Sequence, residues 1–180
     1  YAVVGKEPYA VHGFVPSVVG VNEPFDMSVR FEDEFFNRAT GRMPFMRIER
    51  NGNPFLSLAE SEEAIQVLRD VRIPESGVSR FTFASSDGKI LGSSDPIWVQ
   101  DNPATRIYWG ETHGHCGFAE GQGSADSYFA FGRDDARLDF LTLSDHDIWM
   151  DDYEWELLNE LSARYNAPGR FVTFPGYEWT

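Results

Sequence analysis

Phe25-Asp26-Met27-Ser28-Val29-Arg30-Phe31 alternates apolar and polar side chains without a break. Successive side chains of extended backbone point to opposite faces, so positions 25, 27, 29 and 31 face one side and Asp26, Ser28 and Arg30 the other. The stretch therefore reads as a half-buried antiparallel strand. Shorter alternating runs surround it at Tyr9 to Val15, Phe45 to Ile48, Val67 to Ile73, Val78 to Phe83 and Ile97 to Val99. Turn residues separate these runs, and Asp87-Gly88 after Phe83 suits a hairpin because both residues tolerate positive φ. Residues 1–105 are thus expected to form an Ig-like β-sandwich.

The grammar changes after Asp101-Asn102-Pro103-Ala104-Thr105, which reads as a linker. A strand is expected from Arg106 to Thr112, then a helix capped by Ser124 or Asp126 and reaching about Arg137. Leu138 to Leu143 is too short and too evenly apolar for a surface helix and reads as a buried strand. Asp151 and Asp152 favour a second helix start, with Tyr153, Leu157, Leu161 and Tyr165 forming an apolar face. Asn166-Ala167-Pro168-Gly169 stops it, and Phe171 to Phe174 supplies a third strand. The order β-α-β-α-β over residues 106–180 predicts parallel strands joined by right-handed crossovers.

The chain has 180 residues, 42% of them hydrophobic, enough to bury a sizeable core. No apolar run approaches the ~18 to 20 residues of a membrane helix. Acidic residues outnumber basic ones 29 to 15, and no Lys/Arg stripe could neutralise phosphates along a duplex, so nucleic-acid binding is not expected. The acid is uneven: residues 1–106 carry a net −4 and residues 107–180 a net −10. Cys116 is the single cysteine, which excludes an intrachain disulfide and leaves the compartment open. The chain opens on Tyr1 with no basic-then-apolar leader pattern, as expected of a processed or excised piece.

Three of the four histidines, His113, His115 and His146, fall at the ends of the first two expected parallel strands. Residues two apart in extended backbone project to the same side, so His113 and His115 can aim two imidazoles at one point across Gly114. Neutral imidazole suits zinc, manganese, iron or nickel. Ser144-Asp145-His146 ends the second strand and Pro175-Gly176-Tyr177-Glu178 the third. Carboxyl ends of neighbouring parallel strands converge on one rim, where ligands bind. His12 has no partner pattern and is expected to be structural or superficial. Asp145, Asp147, Asp151 and Asp152 lack the glycine and terminal glutamate of a calcium loop and read as solvated acids at a helix start.

Tyr108-Trp109-Gly110-Glu111-Thr112-His113-Gly114-His115, the following Glu120-Gly121, Leu138 to His146 and Phe174-Pro175-Gly176-Tyr177-Glu178 together resemble the first three motifs of the polymerase-and-histidinol-phosphatase (PHP) metallohydrolases. The likeness is greatest to an uncharacterised PHP-like branch that carries a β-sandwich before the barrel. It implies a distorted (β/α)7 barrel of which residues 106–180 are only the beginning, with two or three divalent ions (zinc, manganese or iron) at its rim. On that likeness His113 and His115 hold a first ion, Glu178 bridges two, and Glu120 and His146 hold a further one. Glu120 stands where the family usually has Asp or His, and its longer side chain departs from the pattern. Glu111 and Asp145 are expected to orient histidines rather than bind metal. Cys116 follows His115 where the family has Thr. In strand geometry it points away, so packing is expected of it.

Divalent ions held ~3.5 to 4 Å apart lower the pKa of bound water toward neutrality and clamp oxygens at a phosphate or carbonyl centre. The reaction expected is metal-assisted hydrolysis of a small molecule, a phosphoester first among substrates, performed by a longer parent rather than by the fragment. A closed barrel takes roughly 250 residues, far more than follow the linker here. Two other readings stand beside it. One is a β-sandwich binding or adhesion module with a degenerate, non-catalytic α/β appendage. The other is a single structural zinc held by His113, His115 and either Cys116 or Glu178.

Overall fold

The computed structural model describes residues 4–180 and divides into two compact units, Tyr1–Ile107 and Tyr108–Thr180. The division lies two residues beyond the expected boundary. Arg106 belongs with the sandwich: its guanidinium donates to the Val18 carbonyl and to both carboxylate oxygens of Glu23.

Among its described residues the first unit has ten strands: β1 (Ala10–Phe14), β2 (Val18–Gly20), β3 (Phe25–Glu32), β4 (Met46–Arg50), β5 (Asn53–Leu58), β6 (Ile65–Val71), β7 (Gly77–Ser79), β8 (Phe81–Ser85), β9 (Leu91–Ser94) and β10 (Ile97–Gln100). They form a seven-stranded sheet in the order β5-β4-β8-β9-β1-β3-β6 and a three-stranded sheet in the order β2-β10-β7. One core joins both sheets, with Met27, Val29, Phe31, Ile48, Phe81 and Phe83 from the larger and Val19, Ile97 and Val99 from the smaller. Burying these side chains contributes about 1.5–3 kcal/mol each, the largest favourable contribution to a β-sandwich. Phe25, Met27, Val29 and Phe31 are all buried, as their alternation predicts.

Pairing is not antiparallel throughout. β1 runs parallel to β9, and β2 parallel to β10, alongside the antiparallel ladders. The run from Val78 to Phe83 is two strands in two sheets, because Arg80 is where the chain passes from β7 to β8. In the turn after β8 only Gly88 has positive φ, at 72°. Asp87 instead turns its carboxylate back to accept from Ser85 Oγ and Lys89 N. Pro54 is accommodated in β5, an edge strand, where no ladder hydrogen bond is forfeited on the open side.

The second unit has β11 (Gly110–Glu111), α1 (Ala125–Ala130), β12 (Phe140–Leu143), α2 (Asp152–Tyr165) and β13 (Val172–Pro175). The three strands form one parallel sheet in sequence order. The expected strand from Arg106 to Thr112 contracts to two residues. Ser124 caps α1 through a reciprocal pair with Ser127, and Asp151 caps α2 likewise with Glu154. A wide turn over Phe131–Asp135 follows α1, closed by Ala136 N on the Phe131 carbonyl, and the chain leaves it through Arg137 at φ 54°. The buried face of α2 is Leu158, Leu161, Ser162 and Tyr165, whereas Tyr153 is exposed: the apolar stripe starts one turn later than four-residue spacing suggests. Phe129, Leu141, Leu143 and Phe171 complete this unit's own core. No described helix is long and apolar enough to cross a membrane.

Candidate metal centre at the strand ends

Beyond their last ladder residues, the three parallel strands stay tied together. Gly114 N donates to Ser144 Oγ at 3.1 Å and Ser144 N to the Gly114 carbonyl at 2.9 Å, which holds the loop after β11 against the end of β12. After the break at Pro175-Gly176, Glu178 N donates to the Asp145 carbonyl and Asp147 N to the Glu178 carbonyl, so His146 and Glu178 form a further parallel bridge. Parallel strands present their carboxyl ends on one side, and these ties extend that register to the residues that carry the chemistry.

His113 and His115 lie in the loop that follows β11, past the strand end where the sequence places them. Their alignment comes from two local constraints. Glu111 Oε1 accepts from both Thr112 N and His113 N at 2.8 Å, turning the chain directly after β11. A Cβ at position 114 would lie 2.1 Å from Tyr128 Oη, so any larger residue would force the Tyr128 side chain or the loop to shift.

The resulting donor atoms are closely grouped. His113 Nε2 and His115 Nε2 are 3.4 Å apart, and Glu178 Oε2 lies 3.2 Å from the first and 3.3 Å from the second. Three ligands of a tetrahedral ion with bonds of about 2.0–2.1 Å would be about 3.3 Å from one another. Glu178 Oε2 is buried and has no hydrogen-bond partner, although imidazole nitrogens surround it. A desolvated carboxylate oxygen without a donor is costly, and a cation supplies what it lacks. The residues present thus fit a divalent ion.

A second group, His115, Glu120 and His146, also offers three donors, all within 4.8 Å of one another. His146 Nε2 is 3.5 Å from Glu120 Oε1, and its Nδ1 is 2.8 Å from Thr180 Oγ1. Its imidazole stacks on that of His115 at 4.8 Å between centroids. Glu120 is exposed and the grouping is looser than the first.

Asp145 lies behind the cluster, fully buried. Its Oδ1 accepts from Cys116 N at 2.8 Å and stands 3.6 Å from His115 Nδ1, a buried nitrogen without a hydrogen bond. Its Oδ2 accepts from Cys116 Sγ at 2.8 Å. Burial first, and the Asp145 carboxylate second, push the Cys116 thiol up to about 12. Cys116 Sγ faces Asp145 and is not among the donor atoms grouped at the cluster. Glu111 acts on His113 through its backbone N–H. His12 lies on β1 with Nε2 3.6 Å from Asp95, far along the chain from these groups. Sequence reading missed Ser144 and Thr180, which hold the His113–His115 loop and His146, and Tyr128, which lies against Gly114. Their only sequence signal is adjacency to the motifs at positions 146 and 178, and Tyr128 has none.

No family model matches the chain. Among curated relatives, uncharacterised proteins of Chlamydia pneumoniae and Chlamydia trachomatis are 27% and 26% identical to it over 93% and 92% of its length. The chain spans 28% of the length of each. Among solved structures, the CARDB domain of a Pyrococcus furiosus protein in complex with di-metal ions is 16% identical, with a TM-score of 0.37 over 50% of this chain and 90% of that one. The M1 domain from titin is 11% identical, with a TM-score of 0.29 over 51% of this chain and 90% of that one.

Proposed function

We propose that the strand-end cluster is the metal centre of a longer metal-dependent hydrolase, with residues 108–180 as the opening segment of a PHP-like domain and a β-sandwich before it. The observation that carries this reading is the triangle of His113 Nε2, His115 Nε2 and Glu178 Oε2, with edges of 3.2 to 3.4 Å around a buried carboxylate oxygen that has no hydrogen bond.

His113, His115 and Glu178 would hold one divalent ion, and His146 with Glu120 would contribute to a second. Bound there, such ions supply Lewis acidity and charge neutralisation for hydrolysis of a phosphoester or related ester. The chain's own residues set the geometry. Asp145 holds the Cys116 backbone and backs His115, Thr180 engages His146 Nδ1 so that Nε2 faces Glu120, and Ser144 fixes the loop bearing both first histidines. Hydrolysis of a phosphodiester dye by the longer protein, lost in His113→Ala together with its metal, is the expected result. Activity that survives His113→Ala and full metal removal would contradict it.

A second reading, a β-sandwich binding module with a non-catalytic α/β appendage, is favoured by the self-contained core of the first unit. It predicts that the cluster takes up no ion and that His113→Ala is silent.

A further inference from the structure

We propose that Trp149 is the substrate-facing wall of this centre and that the substrate carries a flat aromatic ring beside its scissile phosphoester; this rests on the hydrolase reading above. Trp149 ends a tight turn over Asp147–Trp149 that is fastened at both sides. Trp149 N donates to the His146 carbonyl, and Asp147 N to the Glu178 carbonyl. The indole is thereby held to the two strand ends that bear the donors, with its centroid 4.7 Å from the His146 imidazole at 70°. It nevertheless remains half-exposed.

The second unit has no lysine and four arginines. Arg133 and Arg170 pair with Asp134, Arg164 pairs with Asp126, and the charge of Arg137 acts on Asp134 as well. Three of the four are thus paired with aspartates, while the donor groups at the cluster include the carboxylates of Glu120 and Glu178. A neutral aromatic wall there would add stacking area to the affinity that bound ions supply. Of the exposed aromatics beside Glu178, Tyr177 packs on Trp155 of α2 and Trp179 on Tyr177. Trp149 is the exposed ring that touches a donor residue, and a ring offers a planar partner stacking area at small entropic cost.

The test compares phenylphosphonate with methylphosphonate, two uncleavable probes, by calorimetry on the zinc-loaded 180-residue chain. Expected is about tenfold tighter binding of phenylphosphonate, a preference retained in Trp149→Phe and abolished in Trp149→Ala with zinc content unchanged. Equal affinity for the two probes, binding of neither, or a preference that persists in Trp149→Ala overturns the wall while leaving the metal centre standing. Loss of zinc in Trp149→Phe and Trp149→Ala alike would assign Trp149 to packing His146 and overturn it too. Failure of the wild-type chain to bind zinc removes the hydrolase reading and the wall with it.

Discussion

His146 and Glu178 are paired across a parallel backbone bridge even though β13 ends at Pro175. Asp147 N to the Glu178 carbonyl, at 3.1 Å, and Glu178 N to the Asp145 carbonyl, at 3.0 Å, restart the ladder past Gly176. The interruption lets Glu178 turn toward the imidazoles while its backbone stays in the sheet. The carboxylate's position is therefore set by strand pairing, not by a free loop, and the donor triangle is already formed in the folded chain.

The contact between Gly114 and Tyr128 Oη makes a steric prediction. Gly114→Ala should destabilise the second unit by about 1–3 kcal/mol in urea unfolding, because the added methyl overlaps the hydroxyl. In a Tyr128→Phe background, where that oxygen is gone, the cost of Gly114→Ala should shrink. Equal costs in both backgrounds would show that the loop does not pass against Tyr128.

The second unit should lose stability at alkaline pH. Burial, reinforced by the Asp145 carboxylate, pushes the Cys116 thiol from 9.0 to about 12, and burial with the charges of Glu111 and Asp145 pushes the Tyr128 phenol from 10.0 to about 12. Both groups keep their protons longer when folded, so the unfolded chain releases them first as pH rises. Stability is full below pH 9.0 and falls as pH climbs toward about 12. Asp145→Asn should weaken this dependence, as measured by urea midpoints across the range. In the folded wild-type chain Cys116 should resist alkylation at pH 8.

The sandwich should respond at the acid end. Burial alone would raise the Asp33 carboxyl, but N–H groups of Lys6, Phe35 and Asn37 and the Asn37 side chain hold it below its ordinary 3.8. Glu23 is held below 4.5 by the Arg106 guanidinium first and then by Gly20 N. Carboxylates depressed in the folded state stabilise it above the unfolded pKa, and that contribution disappears as pH falls through the folded values. Unfolding midpoints of the first unit should therefore drop below pH 3.8–4.5, and Asp33→Asn should flatten the drop.

How much of this could be read in advance depends on how local the signal is. The strand Phe25–Glu32, the stop at Pro168-Gly169 and the capping residues Ser124 and Asp151 are written in neighbouring residues, and each is where its pattern places it. The parallel pairs β1–β9 and β2–β10 are not, because pairing across such distances leaves no periodicity in either strand. Leu91-Gly92-Ser93-Ser94 has no strand signature, and its glycine is needed because a Cβ there would strike the Val11 carbonyl. At the cluster, placement at expected strand ends pointed to His113, His115, His146 and Glu178, the family resemblance added Glu120, and the structure groups all five. Ser144 and Thr180, which hold the His113–His115 loop and His146, and Tyr128, which lies against Gly114, act through contacts made only after the strands align.

Zinc titration of the metal-stripped 180-residue chain, with stoichiometry read by elemental analysis after gel filtration, addresses the donor triangle itself. At least one zinc per chain is expected, lost in His113→Ala, His115→Ala and Glu178→Gln while the fold persists by circular dichroism. Fewer than one ion per chain in the wild type, or full retention in all three variants, would contradict a metal centre at these strand ends.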